Sequence, residues 1–238
     1  MREIFSSIQG EGIYVGCRQI FLRFAGCNLK CAYCDTPGKA TPSCRCEVTP
    51  GRKDFFLPNP LSSLQVAQVV EKLNPAIHHS FSLTGGEPLL HHEFLRVLIP
   101  RLKEYLGKIY LETNGTLPQE LNSVIHLIDF IAMDVKLPGV SRLPPLWEKH
   151  KEFLTIASQK QTFVKVVVDE NTSLQELDRA LQLIREGGEF PLIIQPVTLK
   201  NGQLGISPER LLLLQERALK FLPGTRVIPQ IHRVLGLL

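Results

Sequence analysis

Three cysteines, Cys27, Cys31 and Cys34, fall within the run GCNLKCAYCDT at residues 26–36. A disulfide framework calls for an even number of partners, and a structural zinc site for four ligands. Thiolates separated by three and then two residues suit a four-iron iron–sulfur cluster with one iron left open to a substrate or cofactor. Zinc with a distant fourth ligand, or thiols without metal, would satisfy the spacing as well. A second motif, TGGEP at Thr84–Pro88, closes a strand-like run. There Gly85 and Gly86 let a ligand approach the backbone, and Glu87 would set a carboxylate at the rim. The same residues also make an ordinary tight strand-to-helix turn, so each motif is ambiguous alone and the pair is more specific. Cys17, Cys44 and Cys46 stand apart, too few for a second four-cysteine cluster, and read as incidental thiols.

The elements that would carry these residues alternate. The runs SFSLTGG, KIYLETNG, DFIAMDVK, TFVKVVVD, FPLIIQPV and GTRVIPQI read as strands, with helical patterns between them, and RQIFLRFAG is a further strand leading into the cysteine loop. In TSLQELDRALQLIREGG, Thr172 or Ser173 can cap the helix and Gly187 or Gly188 can end it. Apolar strands alternating with helices predict an α/β fold, a parallel sheet curled into a partial (β/α) barrel, with chemistry at the carboxyl ends of the strands. Cys27, Gly85, Glu112, Asp134, Gln195 and Gln230 all fall near such ends. Residues 37–60, rich in proline, glycine and polar side chains, read as a loop inserted after the cysteine segment, over the active-site face of a single domain spanning 1–238. The histidine pairs 78–79 and 91–92, adjacent in sequence and without a spaced partner, read as side chains turned to solvent.

The 238 residues carry a formal net charge of +4 with the basic residues scattered, a poor footprint for nucleic acid. The N-terminal run lacks an apolar segment of signal-peptide length and no later run is long enough to span a bilayer, so a cytoplasmic chain without a membrane partner is expected. In that reducing compartment, six cysteines point to metal or catalysis rather than disulfides.

With CNLKCAYC and GGEP together, the sequence resembles the radical S-adenosylmethionine (SAM) superfamily. The resemblance implies one [4Fe–4S] cluster held by Cys27, Cys31 and Cys34, whose open iron binds SAM. One electron then releases a 5′-deoxyadenosyl radical. It also implies SAM contacts at Gly85, Gly86 and Glu87, at Asp134, Val135 and Lys136 of MDVK, and at Gln195 of IQPV. Within the superfamily, EIFSSIQGEG, LRFAGCN, CDT, TGGEP, ETNGT and the tail QIHR resemble the 7-carboxy-7-deazaguanine synthase family of queuosine biosynthesis. That family converts 6-carboxy-5,6,7,8-tetrahydropterin to 7-carboxy-7-deazaguanine by radical ring contraction with loss of ammonia. On this resemblance Ile8, Gln9, Gly10 and Glu11 would read the pterin edge and Arg23 its carboxylate, with Thr84 and His232 as further substrate contacts. Thr36 would be a magnesium ligand. The family also implies a homodimer and an electron donor such as a flavodoxin. A glycyl-radical activating enzyme shares the cysteine spacing and a MDVK-like segment, and an iron–sulfur electron-transfer or structural module is a rival of another class.

Overall fold

The computed structural model describes residues 1–34, 39–49 and 53–237. In chain order the elements are β1 (Glu3–Ile8), β2 (Arg18–Phe24), β3 (Ser43–Thr49), β4 (Lys53–Pro58), α1 (Ser63–Lys72), β5 (Ser80–Gly85), α2 (His92–Lys103), β6 (Ile109–Thr113), α3 (Pro118–Val124), β7 (Phe130–Val135), α4 (Pro138–Ser141), α5 (Trp147–Ala157), β8 (Gln161–Val168), α6 (Leu174–Gly187), β9 (Leu192–Pro196), α7 (Pro208–Leu219), β10 (Arg226–Val227) and α8 (Ile231–Val234). Ser173 caps α6 by accepting from the Glu176 amide at 3.4 Å, and Gly188 follows its end.

The strands form one ten-stranded sheet in the order β10-β9-β8-β7-β6-β5-β2-β1-β3-β4. From β2 to β10 every neighbouring pair is parallel, as strands joined by crossover helices must be. The sheet curls: the Ile231 amide donates to the Gly10 carbonyl at 2.9 Å, bringing the chain just past β10 against the chain just past β1. The barrel is partial because the β1 edge continues into β3 and β4 rather than closing onto β10.

Side-chain alternation sorts the two faces. Val164, Val166 and Val168 of β8 enter the large core shared with the helices, whereas Phe163 packs on the inner face with Tyr110, Ala132 and Ile193. Ile13 and Tyr14, from the β1–β2 connection, cover that inner apolar layer. The next inward-facing residue of each strand is polar: Glu112 after Tyr110, Asp134 after Ala132, Lys165 after Phe163, Gln195 after Ile193, and all four line one cleft. An apolar plug below and a polar ring above is how the barrel offers a site at its carboxyl end.

Two features differ from the sequence reading. EIFSSI is a strand, β1, antiparallel to β2. The inserted segment is not wholly loop: β3 and β4 form an antiparallel hairpin, and β3 pairs in parallel with β1 through Glu3↔Arg45 and Ile4↔Cys46. None of its described residues lines the cleft. Alternation in SCRCEVT turns Cys44 and Cys46 into the core, fully buried, with their sulfurs 3.8 Å apart. They are packing groups, not thiols of a lid.

Candidate active site

The cysteine loop leaves the end of β2, and Cys27, Cys31 and Cys34 all line the cleft. Its fixation is local and dense. Cys27 sulfur accepts from the Leu29 amide at 3.4 Å and from Asn114 Nδ2 at 3.7 Å. Asn114 Nδ2 also donates to Asn28 Oδ1 at 2.8 Å, Asn28 Nδ2 to the Thr116 hydroxyl at 2.9 Å, and the Ala32 amide to the Ser141 carbonyl at 2.9 Å. Burial pushes the Cys27 and Cys31 thiols up, opposed at Cys27 by the Leu29 amide and at Cys31 by the nearby Lys136 charge. Such thiols stay protonated until a metal displaces the proton. Among the described residues no three His, Cys, Asp or Glu side chains are grouped to chelate a single ion. A cluster spreads its thiolates over separate irons and does not need them to converge on one point. Three thiols on one cleft, with N–H donors aimed at a sulfur, therefore fit an iron–sulfur cluster.

The glycine turn braces this loop. A Cβ on Gly86 would fall 1.8 Å from the Gly26 carbonyl oxygen, so only glycine lets β5 pass so close to the cysteine segment. The Gly86 amide donates to the Phe24 carbonyl at 3.1 Å and the Glu87 amide to Gly26 at 2.8 Å. Glu87 is not at the rim. It is fully buried, and its carboxylate accepts from the Asn114 amide at 2.7 Å, the Thr113 hydroxyl at 3.0 Å and the Leu89 amide at 3.1 Å. Burial pushes its pKa up to about 7, against the pull of those donors. Glu87 thus stands behind the wall of the cleft and orients Asn114 in front of it. His91, expected at the surface, donates from Nε2 to the Ala25 carbonyl at 2.9 Å and stacks on Phe24, 5.2 Å between rings.

Charged side chains form the opposite wall. Lys136 Nζ lies 2.8 Å from Asp134 and Lys165 Nζ lies 3.4 Å from Asp134. Lys165 also pairs closely with Glu11, which accepts from Gln230 Nε2 at 2.9 Å. Burial works against the charge on both carboxylates, but the lysines outweigh it and hold Asp134 and Glu11 below the usual range. Lys136 also sits 5.4 Å from the centre of the Tyr33 ring, whose hydroxyl burial pushes up to about 12.

Of the residues expected in the site, Ile8, Gln9, Gly10, Glu11, Arg23, Thr84, Gly85, Gly86, Asp134, Lys136, Gln195 and His232 line the same cleft as the cysteines. Thr36 lies outside the described residues. Val135 lies between Asp134 and Lys136 on an alternating strand and its side chain enters the core, so a SAM contact there would be made by its backbone. Gln9 spends its amide on the framework, donating to Glu112 at 2.8 Å and Gln19 at 3.1 Å and accepting from the Glu11 amide at 3.0 Å. Arg23 Nε is held by Glu3 at 2.8 Å. A Cβ at Gly10 would lie 2.4 Å from His232 Nδ1, which is how tightly the tail closes over the N-terminal loop. Sequence reasoning left out Asn114 and Lys165; the lone lysine in TFVKVVV was the available signal for the second.

Residues 22–138 match the Radical SAM superfamily. The 7-carboxy-7-deazaguanine synthase of Geobacter sulfurreducens is 48% identical, covering 99% of this chain and 96% of that protein. The chain belongs to this synthase family. The synthase of Methanothermobacter thermautotrophicus is 37% identical over 99% of this chain and 96% of its own length. In structure, Streptococcus suis SuiB bound to S-adenosylmethionine superposes with a TM-score of 0.57 over 88% of this chain and 49% of that one. At 15% identity that likeness concerns the fold. As a member of the synthase family the chain is a radical SAM enzyme, and an activating enzyme for glycyl radicals is not favoured. No helix among the described residues is long and apolar enough to cross a membrane.

Proposed function

We propose that the chain converts 6-carboxy-5,6,7,8-tetrahydropterin to 7-carboxy-7-deazaguanine with loss of ammonia, as a lyase of queuosine or related 7-deazapurine biosynthesis. The observation that carries this is that the cysteine loop and the Ile8–Glu11 segment open on one cleft in a chain 48% identical to a named synthase. Cys27, Cys31 and Cys34 would hold the cluster, and Gly85, Gly86, Asp134, Lys136 and Gln195 would hold SAM. When bound, these two groups supply a carbon radical able to take the hydrogen atom from C6 of the pterin.

The chain's own residues do the positioning. The Glu11 carboxylate accepts from the N–H edge of the pterin, the Gly10 backbone lies alongside, and Thr84 offers a hydroxyl although it now donates to Glu112 at 2.7 Å. Arg23 keeps its terminal nitrogens for the substrate carboxylate while Glu3 steadies its Nε. His232 and the tail cover the ring and close the site to solvent, keeping dissolved oxygen and reductants away from the reacting carbon. Magnesium, with the Thr36 hydroxyl as one ligand, would neutralise the substrate carboxylate. We place the enzyme in the cytoplasm as a homodimer reduced by a flavodoxin-like donor, which suits its mild positive charge. The test is an anaerobic incubation of the reconstituted protein with SAM, magnesium, a reductant and the carboxylated tetrahydropterin. Mass detection of the deazaguanine acid supports the reading, and SAM cleavage without it contradicts it.

A further inference from the structure

Lys165 is the single cation of β8, a strand otherwise of valine, phenylalanine, threonine and glutamine. It is 5% exposed. Burying an ammonium group costs several kcal/mol unless it is paired, so its presence is explained by what it touches. On one side it meets Asp134 at 3.4 Å, but Asp134 already has Lys136 at 2.8 Å. On the other it pairs closely with Glu11, whose carboxylate also accepts from the neutral amide of Gln230 at 2.9 Å. Glu11 lies in the connection between β1 and β2, not in a strand. The position of its carboxylate is therefore set from across the cleft, by a residue rooted in the centre of the sheet.

We propose that Lys165 is a positioning residue that holds the Glu11 carboxylate where it meets the N–H edge of the pterin, and so sets the substrate's register without touching the reacting carbon. The inference rests on the reading that Glu11 contacts the pterin. The groups facing Glu11 are Lys165 from β8, Asp134 from β7 and Gln230 from the tail, with Glu112 of β6 acting on Lys165. Without Lys165, burial and the Asp134 charge both favour a protonated Glu11. A carboxylic acid turns its hydroxyl, a donor, toward a donor edge and binds it poorly. The lysine thus supplies geometry and keeps the acceptor ionised.

The test compares reconstituted wild type with Lys165→Met, Lys165→Arg, Glu11→Gln and the Glu11→Gln/Lys165→Met double variant. KM for the carboxylated tetrahydropterin, KM for SAM and kcat are read separately. Lys165→Met is expected to raise the pterin KM at least tenfold and to leave the SAM KM within twofold, with Lys165→Arg recovering part of the loss. The double variant should match Glu11→Gln within twofold, because no carboxylate remains to be positioned. A wild-type pterin KM in Lys165→Met, or a further tenfold loss in the double variant, overturns the proposal. Should Lys165→Met fail to fold with its partner charges unpaired, Lys165→Gln, which keeps a polar group between the two carboxylates, takes its place with the same expected and overturning results. If Glu11→Gln leaves the pterin KM unchanged, the assignment of Glu11 to the substrate falls, and the role of Lys165 with it.

Discussion

Cys27 and Cys31 share a loop but not their surroundings: N–H donors reach the first, and the Lys136 charge lies near the second. Both thiols are raised by burial, so the loop waits for metal rather than reacting as free thiolate. Replacing Cys31 by alanine is expected to abolish cluster and SAM cleavage together; iron content near that of wild type would refute the ligand set. The cysteine spacing was legible because ligation by a short loop is a local property of the chain. Glu87 was misplaced for the opposite reason. Which way a strand-end side chain points depends on the register with its neighbours, and Glu87 is buried by β6 and the cysteine loop, both distant in sequence.

At the scale of elements, the turn after β5 locks the cysteine loop through backbone contact. Gly86→Ala forces a methyl group against the Gly26 carbonyl. Overpacking of this kind costs about 3 kcal/mol, a fall in melting temperature of roughly 6–12 °C for a chain of this size, and iron loading should drop with it. Calorimetry and iron analysis check both, and unchanged values would mean the two loops are not in contact. The β3–β4 hairpin offers a contrast. Replacing Cys44 and Cys46 by alanine should leave iron content unchanged and cost on the order of 1 kcal/mol each, as for a buried methyl-sized group; a large loss of iron would revive a second metal site. Parallel strands and their helices were readable because period and length agree over many residues. The hairpin was hidden by prolines and glycines at its ends, and β1 by the site-like residues that follow it.

Over the whole molecule, the cleft exists because the sheet curls until the segments after β1 and β10 meet. Closure of this kind cannot be read from local sequence, although the tail motif QIHR pointed to its participants. Burial at the heart of this assembly also gives the apo chain a pH signature. Glu87 has its pKa raised from 4.5 to about 7, so between those values the folded state binds the proton more tightly than the unfolded. Its contribution is fully present below about 4.5 and is lost as pH rises through about 7. Denaturant midpoints from pH 5 to 8 should fall with pH in the wild-type apo chain and flatten in Glu87→Gln; the same slope in both would remove Glu87 as its cause. The most direct measurement of all follows 7-carboxy-7-deazaguanine and 5′-deoxyadenosine in the same anaerobic turnover. The account predicts product in large excess over adenosine, because ring contraction with loss of ammonia is redox-neutral overall and so allows the hydrogen atom taken from the pterin to be returned by 5′-deoxyadenosine, with SAM re-formed in each cycle. Adenosine accumulating without the deazaguanine acid would contradict it.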